Sequence, residues 1–240
     1  MKVVVDKKFE HLTDEISSLP QRMDEGQGEE VYASRNRVVR FVVDGIPMMV
    51  KRFKRANTAQ QLAYTFFRKS KAERAYLYAN EFLRRGIDTS QPVGYMEERS
   101  HGLFTTGYFV SLEAEGTDAA QLLREVQDYP KDLAEAVARQ VLLMHSRGVL
   151  HGDLNLTNFL CKSTESGFSF TMIDTNRSHF CEGFPSDAQC LKNMVRLTHR
   201  RDLYEYLVRC YAALRGWDGN ATAARAFRLL ERFEHRRIKL

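Results

Sequence analysis

Val149-Leu150-His151-Gly152-Asp153-Leu154-Asn155-Leu156-Thr157-Asn158-Phe159-Leu160 is the stretch on which the reading of this chain turns. It follows a helical pattern that ends in Leu143-Met144-His145-Ser146-Arg147-Gly148, and an apolar run, Phe168-Ser169-Phe170-Thr171-Met172-Ile173, then leads to a second acid, Asp174. Phosphoryl transfer calls for such a set: one carboxylate to orient or deprotonate the attacking hydroxyl, and hard oxygen ligands to hold a Mg²⁺ ion against nucleotide phosphates. Asp153 fits the first role, and Asn158 with Asp174 the second, so all three are candidate catalytic residues and the latter two candidate metal ligands. A lone Asp-Leu-Asn is a common turn or cap. The ordered set, with apolar flanks that bury the backbone on both sides, is what carries the reading.

Working outward, the first half of the chain is β-rich. The first thirty residues read as a strand or short helix followed by an acidic polar loop, Asp24 to Glu30. Val38-Val39-Arg40-Phe41-Val42-Val43 and Met48-Met49-Val50-Lys51-Arg52-Phe53 flank Asp44-Gly45, a strong hairpin signal. Residues 58–85 contain no Gly or Pro and read as two helices broken near Ser70, with Gly86 as the stop. Pro92 to Met96 and Gly107 to Leu112 read as further strands around a turn at Ser100-His101-Gly102. After Glu115-Gly116 the character becomes helical, over Asp118 to Val126 and Lys131 to Arg147, and again from Asp187 almost to the end. Trp217 reads as core or helix packing. A β-rich first half and a helical second half predict an α+β layout with an antiparallel β-rich lobe over residues 1–113 and a helical lobe over 114–240.

Composition narrows the classes. The chain has 240 residues, ordinary apolar and charged fractions, and no apolar run long enough to span a bilayer. The N-terminus meets charge before a signal-like core develops, which predicts a cytoplasmic protein. Four scattered cysteines without metal-ligand spacing predict reduced thiols. The net charge of +5 is uneven: between Arg35 and Arg74 eleven Lys/Arg face only Asp44 and Glu73, a net +9, and residues 196–240 carry +6 from eleven bases and five acids. Such clustering suits an anionic partner, although solvated helix faces also collect charge.

The segment His151 to Asn158 resembles the catalytic loop of the protein-kinase-like superfamily, in the His-Gly-Asp form of small-molecule and atypical kinases, and Asp174 resembles the metal-binding Asp of its Asp-Phe-Gly motif. Within it, the chain resembles most the bacterial lipopolysaccharide core kinases, which phosphorylate heptose or Kdo sugars. Ser34-Arg35-Asn36, Val50-Lys51-Arg52-Phe53, Ser70-Lys71-Ala72-Glu73, Arg84-Arg85-Gly86-Ile87 and Asp174-Thr175-Asn176-Arg177 carry that likeness, over about residues 30 to 200. It implies a kinase-like bilobal fold and an enzyme that uses ATP and Mg²⁺. Lys51 would bind α/β-phosphate oxygens and be held by a helix glutamate, Glu73 or alternatively Glu81. Arg35 and Asn36 become candidates for nucleotide binding, ahead of Gly26-Gln27-Gly28, which reads as a linker. His151 would orient the loop through a backbone bond. Arg177 would either bind substrate phosphate or bridge to the catalytic loop.

Departures from the pattern shape the functional expectation. Thr175-Asn176 replaces Phe-Gly, and Pro185-Ser186-Asp187, with Ser186 as a cap, starts a helix soon after Asp174. No long activation segment fits between them, which points to a glycan or small acceptor. The expectation is a kinase for a sugar hydroxyl of the lipopolysaccharide inner core, acting on an anionic glycolipid, with peripheral contact at the cytoplasmic face of the inner membrane and no nucleic-acid partner. The amphipathic run Arg225 to Phe233 would serve docking or simply pack. The alternatives are an atypical protein kinase or ATPase of the RIO type and a pseudokinase binding module.

Overall fold

The computed structural model describes residues 1–238. The chain divides into two compact units, residues 1–81 with 90–114, and residues 82–89 with 115–240. In order, the elements are β1 (Lys2–Val5), α1 (Thr13–Asp24), β2 (Glu29–Ala33), β3 (Arg37–Val43), β4 (Ile46–Arg52), α2 (Thr58–Leu62), α3 (Lys71–Arg84), β5 (Pro92–Ser100) and β6 (Leu103–Leu112). There follow β7 (Thr117–Asp118), α4 (Ala119–Leu123), α5 (Lys131–Ser146), β8 (Val149–Leu150), β9 (Phe159–Thr164), β10 (Gly167–Met172), β11 (His179–Phe180), α6 (Asp187–Met194), α7 (Arg201–Leu214) and α8 (Gly219–Ile238).

The first unit is built on a six-stranded antiparallel sheet in the order β1-β5-β6-β4-β3-β2. Asp44 and Gly45 both take positive φ, at 49° and 75°, which gives the hairpin the twist its strands need. Alternation in β3 and β4 sends Val39, Phe41, Val43, Met48 and Val50 to a buried core. Helix α1 covers that core with Ile16, Leu19 and Met23. A strand or short helix followed by a loop was expected there; the structure has a strand, a helix of three turns that tolerates Pro20, and the beginning of β2 at Glu29. Buried Phe53, Ala72, Ala75 and Tyr95 form a second cluster that holds α3 to the sheet. A Cβ on Gly107 would lie 2.8 Å from that of Ala72, so glycine permits this close approach.

The helical unit has one core, drawn from α4 to α8 and the β9–β10 hairpin. Leu133, Val137, Val141 and Met144 recur at helical spacing along α5 and are all buried. Ser186 and Gln189 form a capping box at the start of α6. Helix α8 places Ala223, Ala226 and Leu230 in the core, with Phe227, Leu229 and Phe233 packed against it. Of the two roles open to Arg225–Phe233, the structure shows packing. Trp217 packs against the same core. All four cysteines are free thiols.

Candidate active site

The loop after β8 is held from below by its apolar residues. Leu154, Leu156 and Phe159 are fully buried, so the polar residues between them must turn the other way. Asn155 caps the 3-10 turn Leu156–Asn158 by accepting from the Thr157 amide at 3.2 Å. The Leu156 amide donates to the Leu197 carbonyl, which ties the loop to the segment after α6. The β9–β10 hairpin then returns the chain with Met172 opposite Phe159, and the Ile173 amide donates to the Asn158 carbonyl at 3.0 Å. Asp174 is thereby delivered beside the loop that carries Asp153 and Asn158.

Asn158 is fixed by donation from Nδ2 to the Asp153 carbonyl at 2.8 Å. Its Oδ1 makes no protein hydrogen bond among the described residues. Asp174 has φ 58° and ψ 45°, in the left-handed region, and Asn176 Nδ2 donates to its Oδ1 at 2.9 Å. Short polar side chains tolerate that backbone; other non-glycine residues rarely do.

His151 joins the two acidic segments. It is fully buried, Nε2–H donates to the Ile173 carbonyl at 3.0 Å, and Nδ1 accepts from the Asp153 amide at 3.2 Å. Burial pushes its pKa down, so the ring is a neutral clamp on two backbones. Gly152 makes room for the clamp: a Cβ there would sit 2.0 Å from the Arg177 carbonyl.

Four supporting residues were not legible in the sequence. Asn193 of α6 donates from Nδ2 to the His151 carbonyl at 2.8 Å and accepts through Oδ1 from His145 Nε2 at 3.2 Å. His145 in turn accepts at Nδ1 from the Tyr211 hydroxyl at 2.8 Å. Burial lowers the His145 pKa to about 4, which keeps this chain of bonds neutral. Arg196 donates from Nη1 to Asp153 Oδ1 at 3.2 Å, and its guanidinium stacks 4.9 Å from the Phe233 ring centre. No linear motif flags these residues: Asn193 and Arg196 arrive from α6 and the turn after it, and a histidine at the end of α5 or a tyrosine in α7 gives no sign of its partner. Arg177 is exposed and makes no ion pair among the described residues.

The other candidates lie in the first unit. Lys51 sits in β4 between Val38 of β3 and Phe109 of β6, with Nζ 5.5 Å from the Phe53 ring centre. Glu73 is in the first turn of α3, where its amide donates to Ser70 Oγ at 3.0 Å; Glu81 lies two turns on. Arg35 is exposed in the turn between β2 and β3. Asn36 in the same turn accepts at Oδ1 from the Lys54 amide at 3.1 Å, which pins that turn to the end of β4. Gln27, by contrast, bonds back to Arg22 and Glu25 and closes the end of α1.

The donor chemistry can be tested against a metal. Among the described residues no cluster of three or more His, Cys, Asp or Glu could cage an ion. Asn158 Oδ1 and the Asp174 carboxylate are two hard oxygens on adjoining segments. That suits Mg²⁺, which keeps most of its shell for water and phosphate oxygens.

An antiparallel β-rich unit and a helical unit bearing an Asp–Asn–Asp set define a kinase-like α+β fold. A solved structure of WaaP in complex with acyl carrier protein shares it, with a TM-score of 0.61 and 23% identity, over 97% of this chain and 99% of that one. A curated 3-deoxy-D-manno-octulosonic acid kinase from Photobacterium profundum is 28% identical over 184 residues, 72% of this chain and 73% of the relative. The profile of the lipopolysaccharide kinase (Kdo/WaaP) family matches residues 24–182, and the chain belongs to that family. It is a phosphotransferase with an alcohol group as acceptor, in lipopolysaccharide biosynthesis.

Proposed function

We propose that this kinase transfers the γ-phosphoryl group of ATP to a hydroxyl of Kdo in the lipopolysaccharide inner core, at the cytoplasmic face of the inner membrane. The observation that carries this reading is the gathering of Asp153, Asn158 and Asp174 by one hydrogen-bonded frame, with His151 spanning both acidic segments. Asp153 accepts the hydroxyl proton as the acceptor oxygen bonds to phosphorus and the β–γ bridging oxygen leaves with ADP. Its Oδ1 is engaged by Arg196, which orients the carboxylate and leaves Oδ2 for the acceptor. Asn158 and Asp174 would hold Mg²⁺, which when bound neutralises charge on the nucleotide phosphates. Lys51, steadied by Glu73 or Glu81, would contact α/β-phosphate oxygens, with Arg35 and Asn36 of the β2–β3 turn as further nucleotide contacts.

Kdo is preferred to heptose because the curated relative is a kinase for that sugar. Only thirteen positions separate Asp174 from the start of α6, and a 3-10 turn and β11 occupy part of them, so a platform for an extended peptide is lacking. The complete Asp–Asn–Asp set argues against a pseudokinase. The test is phosphate transfer from ATP to a panel of Kdo-lipid A, heptosylated core and protein acceptors. Transfer to protein alone would favour the RIO-type alternative.

A further inference from the structure

The only long gap in acidic residues near the sheet of the first unit runs from Asp44 to Glu73. At its centre, α2 continues into one π-helical turn, Ala63–Phe67. The inner side of this segment is fastened to β6. Thr65 Oγ1 accepts from the Phe104 amide at 2.9 Å, and the Tyr64 and Phe104 rings meet edge to face at 5.3 Å. Its outer side is bare. Leu62 is 46% exposed, Phe66 65% and Phe67 83%, and the two phenylalanine rings lie side by side with centres 6.2 Å apart. Wide π turns are uncommon and recur at functional positions. This one projects two adjacent aromatics from the surface.

Charge flanks this segment along the chain. Lys54 and Arg55 precede the segment, Arg68 and Lys69 follow it, and all four are exposed with no ion pair among the described residues. Other bases of the same stretch are committed internally: Arg37 to Glu30, Arg40 to Glu113, Arg52 to Asp24. Exposed apolar side chains flanked in the chain by unpaired cations match a surface that is anionic outside and apolar within. A second copy of this chain would bring two such basic segments together and is repelled.

We propose that Leu62, Phe66 and Phe67 insert into the interfacial region of an anionic phospholipid bilayer, with Lys54, Arg55, Arg68 and Lys69 on the headgroups. The inference rests on the proposed membrane glycolipid acceptor, and it moves the contact from α8, whose apolar face is spent in the core, to α2 and the turn after it. Insertion would hold the enzyme on the bilayer that carries its acceptor.

The test is co-sedimentation of the full chain with phosphatidylcholine vesicles, with and without phosphatidylglycerol. The wild type is expected to bind the anionic vesicles, with affinity falling as salt rises. Phe66→Ser/Phe67→Ser and Arg68→Glu/Lys69→Glu should each lower that affinity about tenfold or more. Both variants should keep wild-type melting temperatures and wild-type turnover on a delipidated, soluble core oligosaccharide. Wild type that stays in the supernatant, or variants that bind as it does, would overturn the proposal. So would variants that lose turnover on the soluble acceptor. Vesicle binding without phosphorylation of any lipopolysaccharide acceptor would uphold the docking surface and sink the acceptor assignment instead.

Discussion

Asp174 pairs an unusual backbone with a charge, and a single substitution separates the two. Asn tolerates the left-handed conformation as well as Asp does, so Asp174→Asn should preserve the turn while removing the carboxylate. Mg²⁺ titrations of ATP binding should then show a clear loss of metal dependence; an unchanged titration would remove Asp174 from the metal site. Asp153→Ala acts on chemistry instead. Turnover is expected to fall about 10²–10⁴-fold while nucleotide affinity stays within a few-fold. His145 governs stability rather than catalysis. Its pKa drops from 6.5 to about 4 on folding, so the native state takes up its proton later than the unfolded chain. Its neutral form is fully compatible with folding above pH 6.5, and stability is lost as pH falls from 6.5 toward 4, by roughly 3 kcal/mol in all. Thermal melts across that window should show the slope, and His145→Gln should flatten it.

Elements differ in how plainly the sequence announces them. The β3–β4 hairpin was legible because Asp44-Gly45 can adopt two successive positive φ angles and the flanking residues alternate. Helix α5 was legible from its buried periodicity. Helix α1 was not, because Pro20 and Ser17-Ser18 weaken the local helical signal; Ile16, Leu19 and Met23 form it by packing on the sheet. At the site, Asp153, Asn158 and Asp174 could be read because they share one linear segment and its returning hairpin. Asn193 and Arg196 reach the same place from α6 and the turn after it, and a single asparagine or arginine on a helix says nothing of its destination. The seam between the catalytic loop and the turn after Asp174 yields a prediction of its own. Gly152→Ala would drive a Cβ into the Arg177 backbone, which cannot rotate away. A loss of about 1–3 kcal/mol is expected in denaturant melts, together with reduced turnover.

At the scale of the whole molecule, charge is the property that sequence and structure describe differently. The sequence shows a +9 stretch from Arg35 to Arg74, and the structure shows that Arg37, Arg40 and Arg52 are paired internally. What remains for a partner is narrower and includes Lys54, Arg55, Arg68 and Lys69, which flank α2 and the turn after it in the chain. No described helix is long and apolar enough to cross a membrane. On the proposed reading an anionic glycolipid meets the kinase at that surface, and its phosphorylation should weaken as salt screens the field over a Debye length of about 8 Å.

The central claim is that Asp153 directs ATP's γ-phosphoryl group to a Kdo hydroxyl. The most direct measurement is mass-spectrometric detection of phosphate on a Kdo-lipid A acceptor after incubation with ATP and Mg²⁺, for the wild type and Asp153→Ala side by side. The account predicts one added phosphate on the Kdo residue with the wild type and none above background with the variant. Phosphate on a protein substrate with none on any glycolipid, or equal glycolipid phosphorylation by Asp153→Ala, would contradict it.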